Sequence, residues 1–309
     1  MRAPHARTSP AKPACQALPP PPFKFPFSVG ARTDIGCVRH ENQDAFRIEP
    51  RAGLFLLSDG MGGAVKGGET AARTVEGAAT TLSTFHRKQA ASTLTPGRAA
   101  TVFQQTIASI NANFCAKNDA ALADPASSGR IHWGATFTGL WLVRDTAIIA
   151  HVGDSRAYLL RDGVLTALTD DHNELGTYVR SQRALGVGDP ASKVSELLRH
   201  ILSSSLERCI GCEPPPGVPT ADVRRIKVAA GDRFLLCSDG LHGLVPDDSI
   251  AAVLGDTENT TGRNAAAGGD AAAGSGGFDP NICCNVLTDL ALEAGGYDNI
   301  TAIVVAIGD

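Results

Sequence analysis

No apolar run in this 309-residue sequence approaches the ~20 residues that a bilayer-spanning helix requires. That leaves a soluble chain with no membrane among its partners. A large excess of one charge is missing too: 28 Lys and Arg stand against 32 Asp and Glu, for a formal net charge of -4. Nothing in that balance points to nucleic acid or anionic lipid. The chain has no acidic residue before Asp34, and its first residues lack the apolar stretch of a secretory signal. Residues 1–27 are expected to form a disordered, weakly basic leader, in which Pro19 to Pro22 could serve as a polyproline II ligand but fit a solvated linker better. Without an export signal, eight cysteines scattered along the chain do not suggest a disulfide framework, and reduced thiols in the cytoplasm are expected. Cys209 and Cys212 form a lone CxxC without the second ligand pair that zinc would need.

What is present is ordinary globular material, 43% hydrophobic and 19% charged. One domain over residues 28–309 is expected, interrupted at about 256–280 by DTENTTGRNAAAGGDAAAGSGGFDP, which has too few large apolar groups to offset its ordering entropy. From Arg130, RIHWGATFTGLWLV, TAIIAHVGD, SRAYLLRDG and VLTALTDDH read as successive strands, with turns at Arg144-Asp145 and Asp162-Gly163. No connection between them is long enough for a helix, so the meander is antiparallel. Helical spacing links Ala71, Val75, Ala78 and Leu82, then Phe103, Ile107, Ile110 and Phe114. A third helix starts with Asp279 as N-cap and Pro280 in the first turn, turns Ile282, Val286, Leu287 and Leu290 inward, and stops at Gly295-Gly296. Strands and helices grouped in runs predict an α+β fold of layered sheets covered by helices.

Two stretches far apart, LFLLSDGMGG from Leu54 and FLLCSDGLHG from Phe234, end an apolar run in Ser-Asp-Gly. An Asp-Gly pair alone is usually a turn, and Asp162-Gly163 is read as one. Asp59 and Asp239, however, are joined by Asp154 in HVGDSRAYLL and Asp298 in GGYDNITAIVV, all at strand mouths. Four such carboxylates brought together would repel one another unless hard divalent cations intervened. Carboxylates with a backbone carbonyl such as that of Gly60 suit magnesium or manganese, whereas zinc would want histidines and thiolates. Upstream, TDIGCVRHENQDAF offers Arg39 as a fork for a phosphate, followed by Gln43 and Asp44; an isolated Arg39 would equally serve as a surface ion-pair residue.

Together DIGCVRHENQD, SDGMGGAVKGG, HVGDSRAYLLRDG, LLCSDGLHG and GGYDNITAIVV, in that order, resemble the metal-dependent serine/threonine phosphatases of the protein phosphatase 2C (PPM) family, in its bacterial form. The resemblance covers about Ser28 to Asp309 apart from the insert. It implies two packed antiparallel sheets flanked by helices, an α-β-β-α sandwich with the metal site at one end. In such enzymes Asp59 would bridge two Mn²⁺ or Mg²⁺ ions, with the Gly60 carbonyl on one of them. Asp239 and Asp298 would complete the other, and Asp154 would serve a weaker third. Arg39 matches the phosphate-gripping position and Asp44 a carboxylate supporting the activated water, which would attack phosphoserine or phosphothreonine in line with the leaving oxygen. Implied partners are phosphorylated proteins and a cognate serine/threonine kinase, acting with a cytoplasmic monomer. The chain departs from the family pattern at Met61, where animal members carry a histidine proposed as general acid. It departs also at Gln43, where many carry glutamate, at Gly243, which can be aspartate at the third metal, and at Ser204, commonly basic. His40 and His242 beside the motifs read as surface or packing residues. The region from Asp170 to Glu207 corresponds to a variable flap that governs access. Two alternatives remain: a pseudophosphatase that binds phosphoproteins without turnover, and a structural protein whose acidic turns hold calcium.

Overall fold

The computed structural model describes residues 23–308 except 62–63, 65, 90–92, 125–132, 189, 191–193, 204 and 257–277. Residues 1–22 of the leader expected over 1–27, most of the insert and Ser204 therefore lie outside the described residues. Among the described residues, ten strands form two antiparallel sheets. The first, in order, contains β1 (Phe27–Asp34), β10 (Ile300–Ile307), β9 (Arg233–Cys237), β6 (Arg156–Arg161) and β7 (Val164–Ala167). The second contains β2 (Asp44–Glu49), β3 (Leu54–Asp59), β4 (Phe137–Val143), β5 (Thr146–Val152) and β8 (Asp222–Lys227).

The continuous apolar runs of the central strands follow from their position between two apolar layers. In β3, Phe55 and Leu57 enter the core between the sheets, while Leu54 and Leu56 enter the core under α1 (Gly67–Lys88) and α2 (Pro96–Leu122). In β10, Ile303, Val305 and Ile307 face the other sheet. Ile300, Ala302 and Val304 face the layer built with α6 (Asp247–Gly255) and α7 (Pro280–Glu293). A strand covered on both faces needs apolar side chains at every position rather than at alternate ones. The two helices expected from Ala71 to Leu82 and from Phe103 to Phe114 are α1 and α2, and the α-β-β-α sandwich is present.

Four details differ from the sequence reading. The four strands after Arg130 are not one meander but two hairpins, β4–β5 and β6–β7. The chain crosses from one sheet to the other at Gly153–Ser155, so β5 and β6 do not pair. The buried face of α7 is Pro280, Cys283, Cys284, Leu287, Thr288 and Ala291, and Ile282, Val286 and Leu290 are only partly covered. That face obeys helical spacing equally well, and small side chains let the helix lie close on the sheet. Residues 23–27 belong to the domain rather than to a leader: Phe23, Phe25 and Phe27 alternate inward with exposed Lys24 and Pro26, and Lys24 N donates to Arg144 O at 2.9 Å. Finally, Cys209 and Cys212 are not reduced thiols but a disulfide, because the tight turn holds their Cα atoms 5.2 Å apart.

Candidate metal centre

Antiparallel pairing brings the motifs together. Asp44, the first residue of β2, lies opposite Asp59, the last of β3, and the end of β1 at Asp34 lies opposite the start of β10 at Ile300. The end of β9 pairs with the beginning of β10, and the end of β5 with the start of β4. One end of the sandwich therefore collects Asp59, Asp154 after β5, Asp239 opening the short helix α5 (Asp239–His242), and Asp298 just before β10. Gly240 can sit there only without a side chain, since a Cβ would stand 2.1 Å from Asn299 O; it would also lie 3.3 Å from the Asp298 Cβ, which puts the two motifs in contact.

The carboxylates feel one another. Burial pushes Asp59 well above the usual carboxylate range, and Asp44, Asp239, Asp154 and Asp298 push it further. Burial raises Asp239, with Asp298 adding to it, and raises Asp154 strongly, with Asp239 and Asp171 adding. Asp44 is pushed up to about 6 by burial, against the Thr301 and Ser238 hydroxyls that favour its charge. Those hydroxyls donate to Asp44 Oδ2 at 2.6 and 2.8 Å, tying the first residue of β2 to the opposite sheet. Asp44 Oδ1 and Asp239 Oδ1 are buried without a hydrogen-bond partner. Arg39, at the exposed edge, donates through Nη2 to Asp298 Oδ2 at 2.7 Å. The structure thus realises the ion-pair reading of Arg39 while keeping its guanidinium at the mouth of the cluster.

Among the described residues, no three His, Cys, Asp or Glu side chains already stand in the arrangement of a bound cation. The donor set nevertheless fits a hard divalent cation. Mutually repelling carboxylates, two orphaned buried oxygens and an all-oxygen ligand chemistry are what such an ion relieves.

Several supporting residues escaped the sequence reading. Asn299 accepts from Gln43 N at 2.8 Å and donates to Ile35 O and Glu41 O at 3.0 Å each, so it carries the whole Arg39 loop. Thr136 Oγ1 accepts from Asp59 N at 2.9 Å, and Ser58 Oγ donates to Thr136 O at 2.5 Å. Ser238, Thr301 and Asn299 sit inside quoted motifs, next to the acidic residues, and that adjacency was the available signal; Thr136 had none. His242 corrects its reading as a mere packing group: its Nε2 donates to Asp154 O at 2.9 Å, joining α5 to the Asp154 turn, and burial lowers its pKa to about 3. Met61 N donates to Gly134 O at 3.0 Å, and the Met61 side chain lies against Gly134.

A family model for protein phosphatase 2C matches residues 39–269. The serine/threonine protein phosphatase PstP of Mycobacterium tuberculosis is 31% identical over 90% of this chain, which spans 45% of that protein's length. The serine/threonine phosphatase stp of Listeria monocytogenes is 27% identical over 89% of this chain and 93% of its own. Among solved structures, the PstP catalytic domain in complex with two manganese ions superposes with a TM-score of 0.64 at 26% identity, covering 92% of this chain and 99% of that one.

Proposed function

The chain belongs to the protein phosphatase 2C family, and from that premise we propose that it hydrolyses phosphoserine and phosphothreonine in proteins with two divalent cations, manganese or magnesium. The observation that carries this reading is the convergence of Asp59, Asp239, Asp298 and Asp154, from four distant segments, into one cluster in which burial and the charges of the other three raise the pKa of Asp59, Asp298 raises that of Asp239, and Asp239 raises that of Asp154. Asp59 and the Gly60 carbonyl, with Asp239 and Asp298, would hold the pair, and Asp154 a weaker third ion. When bound, such ions stabilise charge on phosphoryl oxygens and make water acidic enough to be a nucleophile near neutral pH.

The chain's own residues then have separable tasks. Arg39 pairs with Asp298 through Nη2 and is exposed elsewhere, so the rest of its fork is available to phosphoryl oxygens. Asp44 is fixed through Oδ2, which leaves the buried, unpartnered Oδ1 as the acceptor for a proton of the attacking water. The Met61 side chain has no proton to give, so the departing serine or threonine oxygen must take its proton from water or another group. Phosphorylated proteins are the substrates on this reading, and a serine/threonine kinase acting on the same proteins is the implied counterpart of a cytoplasmic, monomeric enzyme.

The test is hydrolysis of p-nitrophenyl phosphate and of a phosphothreonine peptide with manganese and with chelator. Turnover that needs manganese and falls at least about 100-fold in Asp239→Asn is expected, the size of a lost electrostatic catalytic group. Undiminished turnover in that variant would overturn the site assignment. The Arg39–Asp298 pair gives Arg39 a task that a calcium-holding protein would also allow; thermal stabilisation by calcium without any turnover in manganese would establish that reading instead.

A further inference from the structure

The turn Cys209-Ile210-Gly211-Cys212 lies outside the acidic cluster but is joined to it by backbone pairing. Ile210 N donates to Ala135 O at 2.7 Å and Ala135 N to Ile210 O at 3.2 Å. Ala135 in turn pairs with Gly60. One step along, Met61 N donates to Gly134 O. Two short rungs therefore run from the disulfide turn to Gly60, whose carbonyl is read as a cation ligand.

The disulfide shares the holding of the turn with a set of hydrogen bonds that keep it folded when the bond is open. Cys212 N donates to Cys209 O at 3.3 Å, Gly211 N to Asn111 Oδ1 at 2.7 Å, Asn111 Nδ2 to Cys212 O at 3.1 Å, and Asn118 Nδ2 to Gly211 O at 2.9 Å. Gly211 takes φ +88, and a Cβ there would meet Trp133 O at 2.1 Å. A crosslink over two intervening residues also removes little chain entropy, because that gain grows with loop length. Access is one-sided: Cys209 is 2% exposed, whereas Cys212 is partly open to solvent. The free thiol of Cys115 on α2 has its pKa pushed up by burial and by Glu213 and Asp119, and is a poor competitor in exchange.

We propose that Cys209–Cys212 is a redox modification site, opened by a dithiol reductant and coupled through the Ile210–Ala135–Gly60 ladder to the cation-holding turn. The reductant's thiolate attacks Cys212 Sγ, the protein S–S bond breaks, and Cys209 leaves as a thiolate that takes up a proton. The reductant's second thiol gives up its proton and displaces Cys212, which leaves as a thiolate and is protonated in turn. Two electrons pass to the protein: the dithiol ends as a disulfide and the chain gains two thiols. With the bond open, the turn that carries Ile210 is held by hydrogen bonds alone, and the Gly60 carbonyl at the far end of the ladder is aimed less firmly. This coupling rests on the reading of Gly60 as a cation ligand; the thiol chemistry does not.

The full chain, kept folded, is treated with dithiothreitol, alkylated and mapped by mass spectrometry. Two additional alkylated thiols are expected, at Cys209 and Cys212. Manganese affinity by calorimetry is expected to be about tenfold weaker in the reduced protein and in Cys209→Ser/Cys212→Ser than in the oxidised protein, a typical effect of loosening an outer support of a metal ligand, with unchanged circular dichroism. Failure to release these two thiols without denaturant would overturn the site, and thiol release with unaltered manganese affinity would overturn the coupling. Oxidised protein that binds manganese but hydrolyses no phosphoester would instead count against the phosphatase reading and leave the redox site standing.

Discussion

Asp44 divides its two oxygens between structure and chemistry, and that division can be tested separately from the metal ligands. Thr301→Val removes the 2.6 Å hydroxyl bond to Oδ2 at nearly constant volume. A kcat about tenfold lower with KM nearly unchanged is expected from steady-state kinetics, together with a stability loss of about 1 kcal/mol. Arg39→Ala acts in the opposite way: steady-state kinetics should show mainly a raised KM, and an unaltered KM would remove Arg39 from the phosphate. His151 is buried at 2% exposure with Nδ1 against Thr138 Oγ1 at 2.9 Å and its ring 4.7 Å from that of His172. Burial, with the charge of His172 adding, lowers its pKa to about 3 from an ordinary 6.5. Above 6.5 both folded and unfolded chains hold it neutral and it costs nothing. Below 6.5 the unfolded chain binds a proton that the folded chain refuses, so stability falls as pH drops from 6.5 towards 3. The slope from this group is about 1.4 kcal/mol per pH unit, and urea melts of His151→Gln should lack that component. At this scale the sequence disclosed the acidic residues, because carboxylates ending apolar runs are conspicuous. It did not disclose that Arg39 leans on Asp298 or that Asn299 carries the Arg39 loop, since both depend on segments more than 250 positions apart.

The sequence places helix α7 correctly by its ends and Leu287 correctly on its inner face, but not the rest of that face. Asp279 caps it by accepting from Asn281 N at 2.8 Å, and Gly295 and Gly296 end it at positive φ. Asp279→Ala should lower unfolding free energy by about 1 kcal/mol in denaturant melts. Leu287→Ala, in the middle of the layer against β10, should cost about 2–5 kcal/mol. Hydropathy favoured Ile282, Val286 and Leu290 for the interior beside Leu287, but the helix turns Cys283, Cys284 and Ala291 inward with Leu287 instead. A second element-level difference has the same origin. Nothing local distinguishes a turn that folds β5 back onto β6 from one that carries the chain across to the other sheet, as Gly153–Ser155 does.

For the whole molecule, an acidic cluster at one end of a sandwich is a local cost that cation binding offsets, so manganese should raise the thermal midpoint and chelator lower it. Binding at 100 times the dissociation constant is worth about 2.7 kcal/mol at one site, and calorimetric scans with and without manganese will show whether the cluster is the source, since Asp239→Asn should abolish the rise. No helix among the described residues is long and apolar enough to cross a membrane. The sequence by itself determined the strands buried on both faces, the three principal helices and the acidic residues at strand ends, because each of these is written in neighbouring residues through periodicity, capping and side-chain chemistry. The tertiary structure alone decided which strands share a sheet, which face α7 turns inward, that Cys209 and Cys212 are bonded, and that Arg39 pairs with Asp298. Those outcomes depend on volumes and distances between segments far apart in the chain, and no local pattern encodes them.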